Sequence, residues 1–545
     1  MPQPTRRARL RPLLPWAAWA AGLLLVFGPG IASGFRRLLG GLGDVRLINF
    51  TLEHGYRWLA GDPLHTDFWS PPIFHPHPGV SAYTDVLLGV GPIYWLSRLA
   101  GVAPDVAFHL WILAIWSLNF AAFWWLLRRG FGVGPLGSAA GAFLFAFGAW
   151  RQLNVIHQQL MPSFYLVLAL GALVRLFRDD PADRPPGRGV VWIVLFFGSL
   201  PLQAWTAFYP LYFFCLTLAA AAVWALVLPG PRRRLAAVLR RHALPAAAAA
   251  VVAAALVTPL ALRYLDAAHE VGLRNYPEAR VPRPASWLLM GQTHRLYGGL
   301  QRPGGVFREL RSTTHSNGAG LLTTLVALAG LWRLRRRPGV ALLALSVFTV
   351  IATVTVWPGD VSGWRLLYRY LPGAAALRAV GRVGMILLPV AALGVAGFFD
   401  RPFRGRWRIA AGLLAILCLA EQLHVIAWRD RQELREHVAG IAARISPERC
   451  EAFLLVSRGQ PRYGYADEDA AWAALATGVP TVNGRYGNQP PGWGLDKQHI
   501  TGRKKRRRLE RQLRRWARTH GMDREAICWI EITRFPERVG IERRE

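Results

Sequence analysis

The 545-residue sequence predicts an all-α polytopic membrane protein of about eleven transmembrane helices, with a small α/β extracytoplasmic domain at its C-terminal end. Three observations predict it. Hydrophobic residues make up 53% of the chain and the mean hydropathy is +0.23. The 65 Lys and Arg residues against 32 Asp and Glu give a formal charge of +33, yet the cations sit in short clusters between long apolar runs such as 13–31 and 243–262. That is how a polytopic membrane protein distributes charge, whereas a nucleic-acid binder lays it along one polar face. After about residue 429 the long runs cease and short, mixed segments replace them. A soluble enzyme, a disordered chain, a secreted disulfide scaffold and a nucleic-acid partner are excluded.

A helical crossing needs about 20 apolar residues. The stretches 13–32, 107–127, 134–150, 158–176, 190–228, 243–264, 319–333, 339–357, 383–399 and 408–428 meet or approach that length. The run 190–228 is too long for one crossing, and Ser199-Leu200-Pro201-Leu202-Gln203 is expected to split it, which makes eleven. The basic N-terminus with Arg6, Arg7, Arg9 and Arg11 precedes a run long enough to span and followed by only a weak small-residue site, so it is read as a retained first helix. With that terminus cytoplasmic, Arg128 and Arg129, the loops 175–188, 232–241, 333–337 and 401–408 all fall inside, as the positive-inside rule requires. The segments 33–106, 151–157, 199–206, 265–318, 358–382 and everything after about 429 then lie outside. The stretch 86–100 would reverse every later loop if it crossed, so it is expected as an interfacial or half-inserted helix.

The domains expected are thus 1–428, polytopic, with 33–106 as a first external loop of interfacial helices, and 429–545, small and extracytoplasmic. In the latter, 451–457 and 526–532 read as strands, 468–476 and 503–519 as helices, and Thr481-Val482-Asn483 as a short strand before a Gly/Pro-rich turn region. The basic block 503–508 is expected as a solvated helix face near anionic lipid head groups. Cys215 and Cys418 lie in apolar spans, and Cys450 and Cys528 in the polar region, where a disulfide and two buried thiols are both open readings.

Carboxylates are scarce, so their concentration directly after the first span is informative: Asp44, Glu53, Asp62, Asp67 and Asp85. If 46–59 is helical, Asn49, Glu53 and Arg57 share one face with His54 beside it, a polar ridge facing a cleft. Asp44 either caps that helix or does chemistry. His75-Pro76-His77, near Asp67 and Asp85, raises a metal site, although an extended X-Pro segment points the two imidazoles apart. The polar cluster 151–159 ends a span on the same side, and offers Asn154, His157 and Gln158 as hydrogen-bonding groups for a sugar or as an exposed turn.

Gly43-Asp44-x-Arg46 with Glu53-His54, Trp69-Ser70-Pro71-Pro72 through Tyr83-Thr84-Asp85, Leu377-Arg378-Ala379-Val380-Gly381-Arg382, and Val482-Asn483-Gly484-Arg485-Tyr486-Gly487 carry a similarity of pattern. The chain resembles the GT-C superfamily of integral-membrane glycosyltransferases, nearest to the YfhO-like and uncharacterised GT-C-like membrane proteins of bacteria. The resemblance implies transfer of a sugar from a polyprenyl-phosphate-type lipid-linked donor to a cell-envelope acceptor at the external face of the inner (plasma) membrane. Donor, acceptor and membrane lipids are the partners it implies. Asp44 maps onto the catalytic position, as general base. Arg46, Glu53, His54, Asp85, Asn154, His157, Arg378 and Arg382 are the candidate substrate-binding residues. The last two, one helical turn apart at the outer mouth of a span, are placed either to hold the donor phosphate or to snorkel to head groups. The familiar Asp-Glu pair is absent because Val45 follows Asp44, so no metal ligand is assigned, and a divalent cation such as Mg2+ or Mn2+ is the one cofactor the resemblance raises. A transporter or flippase, or a non-catalytic assembly protein for lipid-linked envelope material, is the alternative, although neither an internal repeat nor charge within the spans supports transport.

Overall fold

The computed structural model describes residues 13–40, 43–178, 187–272, 276, 278–337, 339–400, 403, 405–458, 465–496 and 498–532. Arg6, Arg7, Arg9 and Arg11, the middle of the 175–188 loop and part of the 401–408 loop lie outside the described residues. Long apolar runs satisfy their backbone polar groups within a helix, as a chain crossing lipid must. Among the described residues six helices are long and apolar enough to cross a membrane: Leu14–Ala32, Pro104–Gly130, Gln158–Arg178, Phe208–Val227, Pro229–Val271 and Val380–Phe398. They make the chain a multi-pass membrane protein. Four shorter apolar helices, Arg188–Ala204, Leu321–Leu334, Val340–Val354 and Ile409–Ala420, fall on further expected spans.

Several boundaries depart from the sequence expectation. The run 190–228 breaks at 205–207, where Ala207 is extended (φ −159°, ψ 138°), and not at 199–203; Pro201 is absorbed near the end of the first helix. The stretch 134–150 is interrupted at Gly148 (φ −64°, ψ 163°), between Pro135–Phe147 and Ala149–Leu153. The stretch 86–100 holds one nine-residue helix, Gly91–Leu99, with Gly91 and Pro92 opening it; a helix that short rises only about 14 Å. Span 243–264 is part of Pro229–Val271, which bends at His242 (φ −124°, ψ 16°) where the arginine-rich segment ends.

The chain divides into two compact units. The first comprises Met1–Gly28, Ile112–Thr258 and Arg274–Ile426. Its centre is the helix Gly384–Phe398, buried along most of its length. Gly330 lies against the Gly394 backbone, Gly394 against Ala327, and Gly137 and Gly141 against Ala396 and Ala392, leaving no room for a Cβ at any of these four. Small residues at such spacing let helices meet backbone to backbone, which is how helices associate where lipid removes the hydrophobic drive.

The second unit comprises Pro29–Trp111, Pro259–Leu273 and Ala427–Glu545. Its three-stranded parallel sheet has Ala452–Arg458 in the middle, flanked by His499–Ile500 and Ile527–Ile532. Both faces of the central strand are buried. Phe453 and Leu455 face a cluster with Ile441, Ala470 and Ala474, whereas Ala452, Leu454 and Val456 face one with Phe50, Phe74, Leu513 and Trp516. Parallel strands require that double cover. Helices Arg431–Ala442 and Ala466–Thr477 supply one side and Arg503–Thr519 the other. The expected strand at 481–483 is reduced to a single bridge from Thr481 to Phe453, because the Asn483 side chain replaces the backbone in the ladder, donating to Leu455 O and accepting from Leu455 N at 3.0 and 2.7 Å. Cys450 and Cys528 are disulfide-bonded. A short antiparallel pair, Arg37–Leu39 with Trp428–Asp430, ties the first segment of this unit to the third.

Candidate active site

In the second unit the helix Asp44–Leu59 opens on Asp44 itself. Gly43, and not Asp44, stands at the N-cap, so Asp44 is half-buried at the first helical position, where the positive end of the helix dipole favours a carboxylate. Gly43 is buried, and a Cβ there would sit 3.5 Å from Glu468 Oε1 and 3.4 Å from the Tyr465 ring. Glu468 therefore lies beside the start of this helix, at the head of the helix Ala466–Thr477, between Asp467 and Asp469.

The three consecutive acids have different surroundings. Asp469, fully buried, takes Arg46 Nη1 in an ion pair and His437 Nε2 at 3.0 Å. Burial raises its pKa, but Arg46 and His437 overcome that and hold its carboxyl below the usual range. Glu468, equally buried, faces Arg485 Nη1 at 3.3 Å. Burial pushes its carboxyl up to about 7, against the pull of Arg485 and with a push from the charge of Asp44. Asp467 accepts from Gln498 Nε2 at 2.7 Å and from Asn483 Nδ2 and Gly484 N at 3.3 Å, and burial together with Glu468 pushes it up to about 8. Arg46, expected to bind substrate, is thus engaged by Asp469, and its carbonyl accepts from Trp472 Nε1 at 3.3 Å.

The same helix carries Glu53 and His54 inward. Glu53 has no exposure, and its carboxylate takes Arg57 Nε at 3.0 Å, Arg98 Nε and Nη2 at 2.8 and 3.1 Å, and the Tyr94 hydroxyl at 2.8 Å. His54 Nε2 donates to Phe68 O at 2.9 Å, so its Nδ1 accepts from His65 Nδ1 at 2.7 Å. Burial lowers the two imidazoles to about 4 and about 3. The expected ridge exists, but it closes on a buried network. Asp85 follows Thr84, whose carbonyl accepts from Tyr264 at 3.0 Å. His77 pairs with Glu270 at 2.7 Å, while Asp67 closes a turn on Ser70.

Among the described residues no group of three or more His, Cys, Asp or Glu could hold a metal ion. Mg2+ and Mn2+ want oxygen ligands around one point, whereas the carboxylates near Asp44 are interleaved with Arg46, Arg485 and His437. The donor set does not fit a divalent cation.

The first unit holds a different arrangement. A cleft of about 180 Å³ is lined by Asn154, His157, Arg280, Arg378 and Arg382, with Trp150 and the segment Ser312–Thr314 completing the wall. Among the described residues three arginines line it and no Asp or Glu does, a lining whose charge suits an anion. Arg378 precedes the single turn Val380–Val383 that carries Arg382 and runs into the central helix. Tyr209 fixes this loop: its hydroxyl accepts the backbone N–H groups of Arg378 and Ala379 at 2.9 and 3.0 Å, and its ring lies 4.7 Å from the Arg382 guanidinium. Gly381 presses on the Thr314 carbonyl with no space for a Cβ. Asn154 Nδ2 donates to Trp150 O at 2.9 Å, which turns that side chain along the wall.

Four expected residues, Asn154, His157, Arg378 and Arg382, thus line one cleft, while Asp44, Arg46, Glu53, His54 and Asp85 belong to the other unit. Sequence reasoning missed Arg280, Tyr209, His437 and the acids 467–469. For the acids a signal existed, since Asp467-Glu468-Asp469 is a run of three carboxylates in an acid-poor chain.

No family model matches the chain, and no curated protein does. Among solved structures it is similar to the arabinofuranosyltransferase AftD from Mycobacteria, with 17% identity and a TM-score of 0.49 over 82% of this chain and 29% of that one. It is similar to the Archaeoglobus fulgidus oligosaccharyltransferase at 12% identity and a TM-score of 0.46, over 86% and 62% of the two chains. ArnT from Cupriavidus metallidurans, solved also bound to undecaprenyl phosphate, matches at 14% identity and a TM-score of 0.35, over 88% and 90%. The chain spans less than a third of the length of the first and about three fifths of the second.

Proposed function

We propose that this chain is a membrane-embedded glycosyltransferase that moves a sugar from a polyprenyl-phosphate-type lipid-linked donor to a cell-envelope acceptor on the external face of the inner membrane. The observation that carries this is the cleft of Arg280, Arg378 and Arg382 with Asn154 and His157, an anion site in a chain of membrane-spanning helices. A lipid-linked phosphate is the anion such a position meets, and arginine is the side chain that grips it in two places at once. Asn154 and His157 supply hydrogen-bonding groups suited to a sugar. Eleven crossings, a cytoplasmic N-terminus and an external segment 429–545 belong to the same proposal. The disulfide Cys450–Cys528 supports an oxidising compartment for that segment.

In the proposed step Asp44 takes the proton of the acceptor hydroxyl as its oxygen bonds to the anomeric carbon. The bond from that carbon to the donor phosphate oxygen breaks, and its electron pair leaves on the phosphate. The arginines of the first unit's cleft are proposed for holding the donor phosphate. Glu468, beside the start of the Asp44 helix, keeps a second proton-accepting carboxyl near the base.

The test is consumption of a lipid-linked sugar by purified, reconstituted protein. Asp44→Asn is expected to lower turnover by about 10² to 10⁴-fold with its melting temperature held. Arg378→Ala and Arg382→Ala are expected to raise the donor KM first. An Asp44→Asn protein as active as its parent would leave Asp44 a helix-opening residue only and favour the alternative of a transporter, flippase or non-catalytic assembly protein.

A further inference from the structure

The helix Arg503–Thr519 packs its inner face, Leu509, Leu513, Trp516 and Ala517, into the core of the second unit. At 3.6 residues per turn its outermost arc of roughly 100° comprises Lys504, Arg507, Arg511, Arg514, Arg515 and Arg518. All six are exposed, and every position on that arc is a cation. The sole acid of the helix, Glu510, lies off the arc and pairs with Arg506 at 3.0 Å. Such concentrated like charge repels itself, and neither capping nor packing of the fold calls for it. A surface of this kind is matched by an extended array of anions.

We propose that this face docks on the anionic phospholipid head groups of the bilayer that the chain spans. Three features on the surface select that occupant. No aromatic or aliphatic side chain lies on the arc, so it offers no ring for bases or sugars to stack on and nothing to insert between acyl chains. Five of its six cations are arginines, which bind phosphate oxygens in pairs. The unit also contains the ends of three membrane-long helices, Leu14–Ala32, Pro104–Gly130 and Pro229–Val271, so a head-group plane is always within its reach at high effective concentration. The contact is electrostatic and lies flat over about 25 Å of helix.

The experiment uses the full-length chain with Cys215→Ser and Lys504→Cys, fluorescently labelled at position 504, Cys418 being buried and Cys450 and Cys528 bonded to each other. It is reconstituted in nanodiscs of phosphatidylcholine alone, or with one third phosphatidylglycerol, each with a trace of head-group nitroxide lipid. Quenching is expected to be at least about twofold stronger in the anionic discs at about 0.1 M salt, and the difference is expected to vanish near 1 M. Arg507→Gln with Arg511→Gln and Arg514→Gln, all exposed positions, should abolish the difference without moving the melting temperature. Equal quenching in both discs would overturn the proposal, as would a difference that survives the triple substitution. Protection of the label by inorganic polyphosphate together with equal quenching would assign the face to a soluble polyanion instead.

Discussion

Tyr209 carries Arg382 on its ring, 4.7 Å from centroid to guanidinium carbon, and with its hydroxyl it accepts the backbone N–H groups of the two residues, Arg378 and Ala379, that lead toward it. One side chain from the helix Phe208–Val227 thereby sets both the path of the loop and the direction of its cation.

Tyr209→Phe keeps the ring and removes the shared acceptor. The loss of one hydroxyl that serves two N–H groups costs about 1–3 kcal/mol. It should appear as a rise in donor KM of roughly 5- to 150-fold with kcat nearly unchanged. Steady-state kinetics against donor concentration check this.

Gly381→Ala places a methyl where the Thr314 carbonyl already lies. The loop must then back away from 312–314 and open the cleft. Overpacking of this type costs about 1–3 kcal/mol. The expected result is a lower melting temperature and weaker binding of the proposed donor together, read by thermal scanning and by titration of a polyprenyl phosphate.

Glu53→Gln separates structure from chemistry. It removes the fully buried carboxylate that the half-buried guanidinium groups of Arg57 and Arg98 share, although Arg57 keeps Asp62 at 3.3 Å, and losing one partner of such a pair costs up to about 3–5 kcal/mol. Melting temperature should fall steeply, in contrast to Asp44→Asn. An unchanged melting temperature would show that Glu53 is held less rigidly than its four contacts imply.

Asp467 and Glu468 make stability depend on pH. Their carboxyls are raised in the fold, to about 8 and about 7. The folded protein therefore holds protons that the unfolded chain releases. The stability they contribute is complete below about pH 4 and is lost as pH rises through about 7 to 8. Glu468→Gln should flatten the fall in melting temperature between about pH 4 and about pH 7, and stand above the parent at the alkaline end.

The spans were legible wherever an apolar run was long, because lipid leaves the backbone no alternative to a helix. The bounds 503–519 were legible too, from a basic stripe broken at Leu509, Leu513 and Trp516. Spacing also put Glu53 and Arg57 on one face, as their 3.0 Å pair confirms. It could not tell whether that face was open, because Tyr94 and Arg98, which close it, come from another segment. The cleft is of the same kind. Arg378 and Arg382 stood out as a pair near the mouth of a span, but Arg280 and Tyr209 become neighbours only through tertiary contact. Local signals also misplaced the break in 190–228, where Pro201 looked like a stop and was accommodated within a helix.

The glycine contacts of the helix Gly384–Phe398 have a consequence for how the proposed donor would be met. Where carbonyl touches backbone on both flanks, no side chain is left to yield, and the helix cannot slide or roll without colliding with its neighbours. Arg382 sits on the turn fused to the head of that helix. The cleft is therefore preorganised, and a phosphate entering it pays little to order its partners. In the proposed reaction, rate control then passes to whatever must still move: the lipid diffusing in, and the acceptor finding its place.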